Sequence, residues 1–212
     1  MEDRRREIET AVEKLNALLV AEPALTTDSY YQGRVHDGAL LTAEELEVVS
    51  YISNLLEPGS RIVEVGSGLG QIPLILACLG YYSVGVEATP VRRAAAKDLQ
   101  NRLRAVDTDA GARVLFLQGE YPDHVDPGPH DLLLTTNVAN SWWKNWAIPE
   151  TEKYKRFFRA EHVILDCRVW WIVRETAEQW RELVQEICAA APYAPVDGVS
   201  RSSIHLLRRK SA

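Results

Sequence analysis

A run of alternating glycines set between two short apolar runs constrains this chain more than any other feature. Residues 61–87 read RIVEVGSGLGQIPLILACLGYYSVGVE. Arg61-Ile62-Val63-Glu64-Val65 is β-branched and apolar, the pattern of a strand buried on both faces in a parallel sheet. Gly66, Gly68 and Gly70 follow at once and let the backbone take positive φ and approach a ligand that any Cβ would exclude. Ile72, Leu74, Ile75, Leu76, Cys78 and Leu79 give the next segment a helical apolar body, with Pro73 tolerable in its first turn and Gly80 as its stop. Tyr82-Ser83-Val84-Gly85-Val86-Glu87 is then a second strand ending in a carboxylate. The unit reads strand, glycine loop, helix, strand.

A carboxylate at the end of the second strand lies where it can accept hydrogen bonds from ribose hydroxyls, beside a glycine loop and a helix N-terminus. That pattern calls for a nucleoside-bearing cofactor. Dinucleotide binders want G-x-G-x-x-G, whereas this loop is G-x-G-x-G with Glu64 two residues ahead of it. A pyrophosphate gains nothing from an extra carboxylate, while a cofactor carrying an ammonium and a sulfonium does. S-adenosylmethionine fits these residues better than NAD.

Glu64-Val-Gly66-Ser67-Gly68-Leu-Gly70, followed by Gly85-Val-Glu87, resembles motif I and the following acidic residue of class I (Rossmann-like) S-adenosylmethionine-dependent methyltransferases. The resemblance implies that the glycine loop lies against the methionine part of the cofactor, that Glu64 orients its amino group through the loop, and that Glu87 holds the ribose. Ser67 and Ala88 join that cofactor-binding set as the neighbours of these residues.

The chain has 212 residues, enough for one domain of ordinary size. A net charge of −6 at pH 7 argues against a protein whose main business is gripping nucleic acid. No apolar run approaches the ~18 residues of a membrane span, and MEDRRREIET lacks the apolar core of a signal peptide, so a cytoplasmic location is expected. Cys78, Cys167 and Cys188 are too dispersed for a disulfide framework or a metal site, and no metal is expected.

Ile8, Ala11, Val12, Leu15, Leu18 and Leu19 form one apolar stripe on a helix over residues 2–21, which either packs on the core or joins two copies of the chain. Residues 22–41 read as a loop containing Tyr30, Tyr31, His36 and Asp37. By resemblance this loop covers the pocket and supplies Tyr31 as a candidate catalytic residue. Thr42 and Glu45 form a capping box for a helix continued by Leu46, Val49, Ile52 and Leu56. Thr89 and Pro90 open a helix to about Val106, with a loop at 107–111. Residues 112–117 are a third strand, and Gln118-Gly119-Glu120 stands where this family presents an acidic or amide side chain to adenine, so Glu120 or Gln118 is expected to make that contact and Gly119 and Glu120 join the cofactor-binding candidates. Residues 121–129 are a loop, 130–136 a fourth strand, 162–167 a fifth. A helix spans 152–159 and another carries Trp180, Leu183, Val184 and Ile187. Residues 196–209 supply an antiparallel terminal pair.

Ligands of doubly wound sheets bind beyond the carboxyl ends of the central strands, which marks Asn137-Val-Ala-Asn-Ser-Trp142-Trp143 after the fourth strand. Asn137 is the candidate that positions the methyl acceptor and touches the cofactor, and Trp142, Trp143 and Trp146 are either an aromatic wall or packing. Together with Gly68-Leu-Gly70-Gln71 and Gly85-Val-Glu87, Asn137-Val-Ala resembles the non-SET lysine methyltransferases of the telomeric-silencing-disruptor type, although the second Asn of their paired motif is absent.

The strand-helix alternation predicts a three-layer α/β sandwich: a Rossmann-like, mostly parallel seven-stranded sheet with an antiparallel terminal strand and an N-terminal helical extension. Residues 1–57 form that extension with its lid segment and 58–212 the core. The expected reaction is methyl transfer to an N or O acceptor on a small molecule or a protein side chain. The competing readings are an NAD(P)-dependent oxidoreductase and an inactive methyltransferase-like scaffold docking through its N-terminal helix.

Overall fold

A computed structural model describes residues 2–19, 38–136, 157–166, 177–196 and 204–211. In chain order the elements are α1 (Glu2–Asn16), α2 (Ala43–Leu55), β1 (Arg61–Val65), α3 (Gln71–Cys78), β2 (Tyr82–Glu87), α4 (Pro90–Val106), α5 (Thr108–Arg113), β3 (Val114–Gln118), β4 (Leu132–Thr136), β5 (His162–Asp166), α6 (Ala177–Ala190), β6 (Tyr193–Pro195) and β7 (Ile204–Arg209). The strands form one seven-stranded sheet in the order β3-β2-β1-β4-β5-β7-β6. β1 to β5 run parallel, and β7 is antiparallel to both β5 and β6. The architecture is the expected Rossmann-like α/β sandwich.

Alternation along the strands divides the apolar side chains between two layers, because successive residues point to opposite faces. Ile62, Leu132, Leu134, Ile164 and Leu206 face α1 to α5, while Val63, Val84, Leu133, Val163 and Leu207 face α6 and residues 157–160. The stripe of α1 is buried at Ile8, Ala11 and Leu15 in the same apolar cluster as Leu74 and Ile75 of α3. The helix therefore packs on the core of its own chain. α2 opens with the complete capping box: Glu45 N donates to Thr42 Oγ1 and Thr42 N donates to Glu45 Oε2.

Four expectations are corrected. The helix over 2–21 ends at Asn16. The expected loop at 107–111 is instead the start of α5, with Asp107 as N-cap accepting from Ala110 N at 2.9 Å. Gly111 belongs there for packing reasons, since a Cβ would lie 2.5 Å from Arg104 Cα of α4. The terminal strand pair begins at Tyr193 rather than Val196. Strand and helix also fail to alternate throughout, because residues 119–131 connect β3 to β4 without a helix. On that side Tyr82 and Leu115, which alternate onto the same face, stay 55% and 45% exposed. The expected helix at 152–159 falls mostly outside the described residues.

The N-terminal helix is tied to the junction of α4 and α5 through Lys14, whose Nζ donates to Asp107 Oδ2 at 2.5 Å. The contact raises the lysine and, with the Ala110 amide, lowers the aspartate. Asp107→Ala is expected to lower stability by ~1–2 kcal/mol in urea unfolding, because cap and ion pair go together. Asp107→Asn, which keeps an acceptor for Ala110, should lose less.

Three histidines contribute to the response to mild acid. His130, His162 and His205 are held below the ordinary value of 6.5, chiefly by burial. As pH falls the unfolded chain takes up protons first, so their contribution is fully present above the unfolded value of 6.5 and is lost below it, through the depressed folded values. The urea midpoint is expected to fall as pH drops below about 6.5, and His205→Gln should flatten that dependence.

Candidate functional site

β1 lies between β2 and β4, and the chain builds outward to β3 before returning to β4 on the other side of β1. The carboxyl ends of β1 and β4 therefore flank the crevice in which doubly wound sheets bind ligands. The glycine loop leaves β1 here. Gly66, Gly68 and Gly70 all have positive φ, 71°, 56° and 74°. The loop is fastened to the end of β2, with Gly66 N and Ser67 N donating to Val86 O at 2.7 and 3.1 Å and Gly70 N closing a turn on Ser67 O at 2.7 Å.

Glu87 completes the fastening. Its Oε2 accepts from Gly68 N at 2.8 Å and its Oε1 accepts from Thr89 N at 2.8 Å. A carboxylate only 6% exposed thus holds both the middle of the glycine loop and the N-terminus of α4 with charge-assisted bonds. Each oxygen has a further lone pair. The side chain that the sequence marks as the ribose acceptor therefore also shapes the loop.

Phe116 of β3 explains why two of the glycines are glycine. A Cβ on Gly70 would lie 2.2 Å from its ring, and a Cβ on Gly85 would lie 2.7 Å from the ring and 2.6 Å from Ser67 Oγ. The ring therefore fills the space under the loop between β2 and α3. Sequence reasoning missed this residue, although a glycine inside strand β2 was the signal that something approaches its backbone closely.

Glu64 faces the helical layer that holds α2 and α3, and accepts from the hydroxyl of Thr136 at the end of β4. This buried contact bridges the two strands that border the crevice. Ser67 is buried and Ala88 is exposed. Gly119 N donates to Glu87 O at 3.1 Å, so the turn after β3 lies beside the loop. Glu120 is different: its side chain is 69% exposed and stands 3.7 Å from His124 Nδ1. The structure thus gathers Glu64, Gly66, Ser67, Gly68, Gly70, Glu87 and Gly119 in one place, with Ala88 next in the chain after Glu87, and turns Glu120 outward. Tyr31, Asn137, Trp142, Trp143 and Trp146 lie outside the described residues. Among the described residues no group of His, Cys, Asp and Glu could hold a metal ion, and no helix is long and apolar enough to cross a membrane.

No family model matches the sequence, and no curated protein matches it either. Solved structures do resemble it. A TehB-like SAM-dependent methyltransferase from Corynebacterium glutamicum superposes with a TM-score of 0.58 at 12% identity, over 88% of this chain and 98% of its own. Magnesium protoporphyrin IX methyltransferase from Synechocystis, solved with bound SAM, gives 0.58 at 13% identity over 90% and 99%. The glycopeptide N-methyltransferase MtfA gives 0.55 at 12% identity over 79% and 90%. The chain has the fold of class I SAM-dependent methyltransferases.

Proposed function

We propose that this protein is an S-adenosylmethionine-dependent methyltransferase that moves a methyl group to an N or O acceptor on a small molecule or a protein side chain. The observation that carries the reading is Glu87. A buried carboxylate at the end of the second strand fixes a loop of three positive-φ glycines and keeps lone pairs for a vicinal diol.

The residues present fit such a cofactor. Glu87 and Gly119 would lie on its nucleoside side, while Glu64, with Gly66, Ser67, Gly68 and Gly70, would lie on its amino-acid side. Bound there, the cofactor supplies an electrophilic methyl on a sulfonium. The chain's part is to align the acceptor and exclude water, which in-line transfer needs more than it needs a protein nucleophile. Asn137, next in the chain after Thr136, is assigned the positioning of the acceptor, and Tyr31 a place in the lid. The neighbours act on a porphyrin and a glycopeptide by their names, a spread of acceptors that leaves this chain's acceptor to experiment.

Calorimetric titration with S-adenosylmethionine, S-adenosylhomocysteine and NAD, followed by transfer of labelled methyl to fractionated cell extract, tests the reading. Binding of the first two with incorporation into one component is the expected result. NAD binding would instead make the chain an oxidoreductase, and cofactor binding without incorporation into any fraction would make it a scaffold.

A further inference from the structure

A buried polar contact joins the helix after the glycine loop to α2, and no motif predicts it. Gln71 is the first residue of α3, directly after Gly70. Its Nε2 donates to Glu45 Oε1 at 3.0 Å in a buried contact, with Glu45 and Gln71 only 5% and 6% exposed. A capping-box glutamate ordinarily sits at the surface, where reaching back to its own helix is its whole task. Here the same carboxylate also accepts from Thr42 N at 2.8 Å, so each of its oxygens anchors a different element.

The contact fixes the amide of Gln71. An ionised carboxylate only accepts, so the Gln71 nitrogen must face Glu45 and its carbonyl must turn away. That carbonyl oxygen is buried with no hydrogen-bond partner among the described residues. Leaving such a group unsatisfied costs about as much as a good hydrogen bond returns. It stands at the N-terminus of α3, where Gly70, the N-cap, has no side chain to cap the first amides. An acceptor for an ammonium thus sits beside amides that favour a carboxylate. The pair is complementary to a zwitterionic α-amino-acid end.

Resting on the cofactor reading above, we propose that Glu45 is a positioning residue: it holds the Gln71 amide so that the carbonyl receives the protonated amine at the amino-acid end of the ligand. Discrimination between ligands that keep and ligands that lack this end is thereby set from the N-terminal helix α2.

Two ligands separate the effects in the full chain: S-adenosylhomocysteine, and 5′-methylthioadenosine, which shares the nucleoside and thioether but lacks the amino-acid end. Glu45→Gln places an amide NH2 where only acceptors fit, against either Thr42 N or Gln71 Nε2. Gln71→Leu removes the acceptor while keeping the apolar bulk. Each is expected to weaken S-adenosylhomocysteine about tenfold and 5′-methylthioadenosine hardly at all. Thr42→Ala breaks the cap but not the Glu45–Gln71 bond, and should lower the melting temperature while leaving the ratio of the two affinities as in the parent. The inference is overturned if Glu45→Gln or Gln71→Leu leaves that ratio unchanged or weakens both ligands alike, or if Thr42→Ala shifts the ratio as Glu45→Gln does. A parent protein that binds neither ligand overturns the cofactor reading itself, and the inference with it.

Discussion

Gly70→Ala is expected to lose about 2–5 kcal/mol of stability, combining a left-handed backbone forced on an L-residue with an overpacked core. The new Cβ would lie 2.2 Å from two carbons of the Phe116 ring and 3.3 Å from Ala96 Cβ. The ring has little room to yield, since it also lies against the backbone of Gly85, where a Cβ would come within 2.7 Å of it. Urea unfolding measures the loss, and cofactor titration of the folded fraction should show weakened binding because the loop itself is displaced. An alanine variant as stable as the parent would mean that Phe116 swings aside and does not define the floor of the loop.

Glu87→Gln should weaken S-adenosylmethionine binding by ~1.5–3 kcal/mol while preserving the volume of the side chain. The substitution does more than dilute a charge. Both oxygens of Glu87 accept backbone amides, from Gly68 and from Thr89, and a glutamine must turn its NH2 toward one of them. The loop and the proposed ribose acceptor are therefore perturbed together, and adenosine, which has the ribose but no amino-acid end, should lose affinity in parallel with the cofactor. Parental affinity in a folded Glu87→Gln preparation would remove the ribose assignment and leave Glu87 as a loop fastener alone.

The sheet was legible because its central strands are continuous apolar runs: Arg61–Val65 and Tyr82–Glu87 have the bounds that the β-branched pattern predicts. The capping box at Thr42 and Glu45 was equally readable, since both halves lie within four residues of sequence. What escaped sequence reading depends on neighbours distant in the chain. Gly111 marks a loop by local preference, yet it lies inside α5, and it is glycine because Arg104 of α4 leaves no space for a Cβ. Phe116 looks like any strand residue until Gly70 and Gly85 meet over its ring. The capping box announced Glu45 but not its bond to Gln71, 26 residues away. The glycine loop itself was read correctly as the link between the first strand and its helix, but the hold of Glu87 on Gly68, 19 residues earlier, shows only once β1 and β2 pair.

The helix-free connection between β3 and β4 has a consequence for how such a chain can change. β3 is held in register by β2, and β4 by β1 and β5, so neither depends on the length of what joins them. The fixed points of the connection are Tyr121, whose hydroxyl donates to Phe157 O, and Pro127, whose carbonyl accepts from Arg61. Between them Asp123 and His124 are exposed. Added residues at that tip would leave both anchors and the glycine loop where they are, and exposed tips of this kind are where insertions are best tolerated. A lineage could gain a covering helix over Tyr82 and Leu115 here, or an engineer a whole inserted domain, by lengthening the chain at a single point.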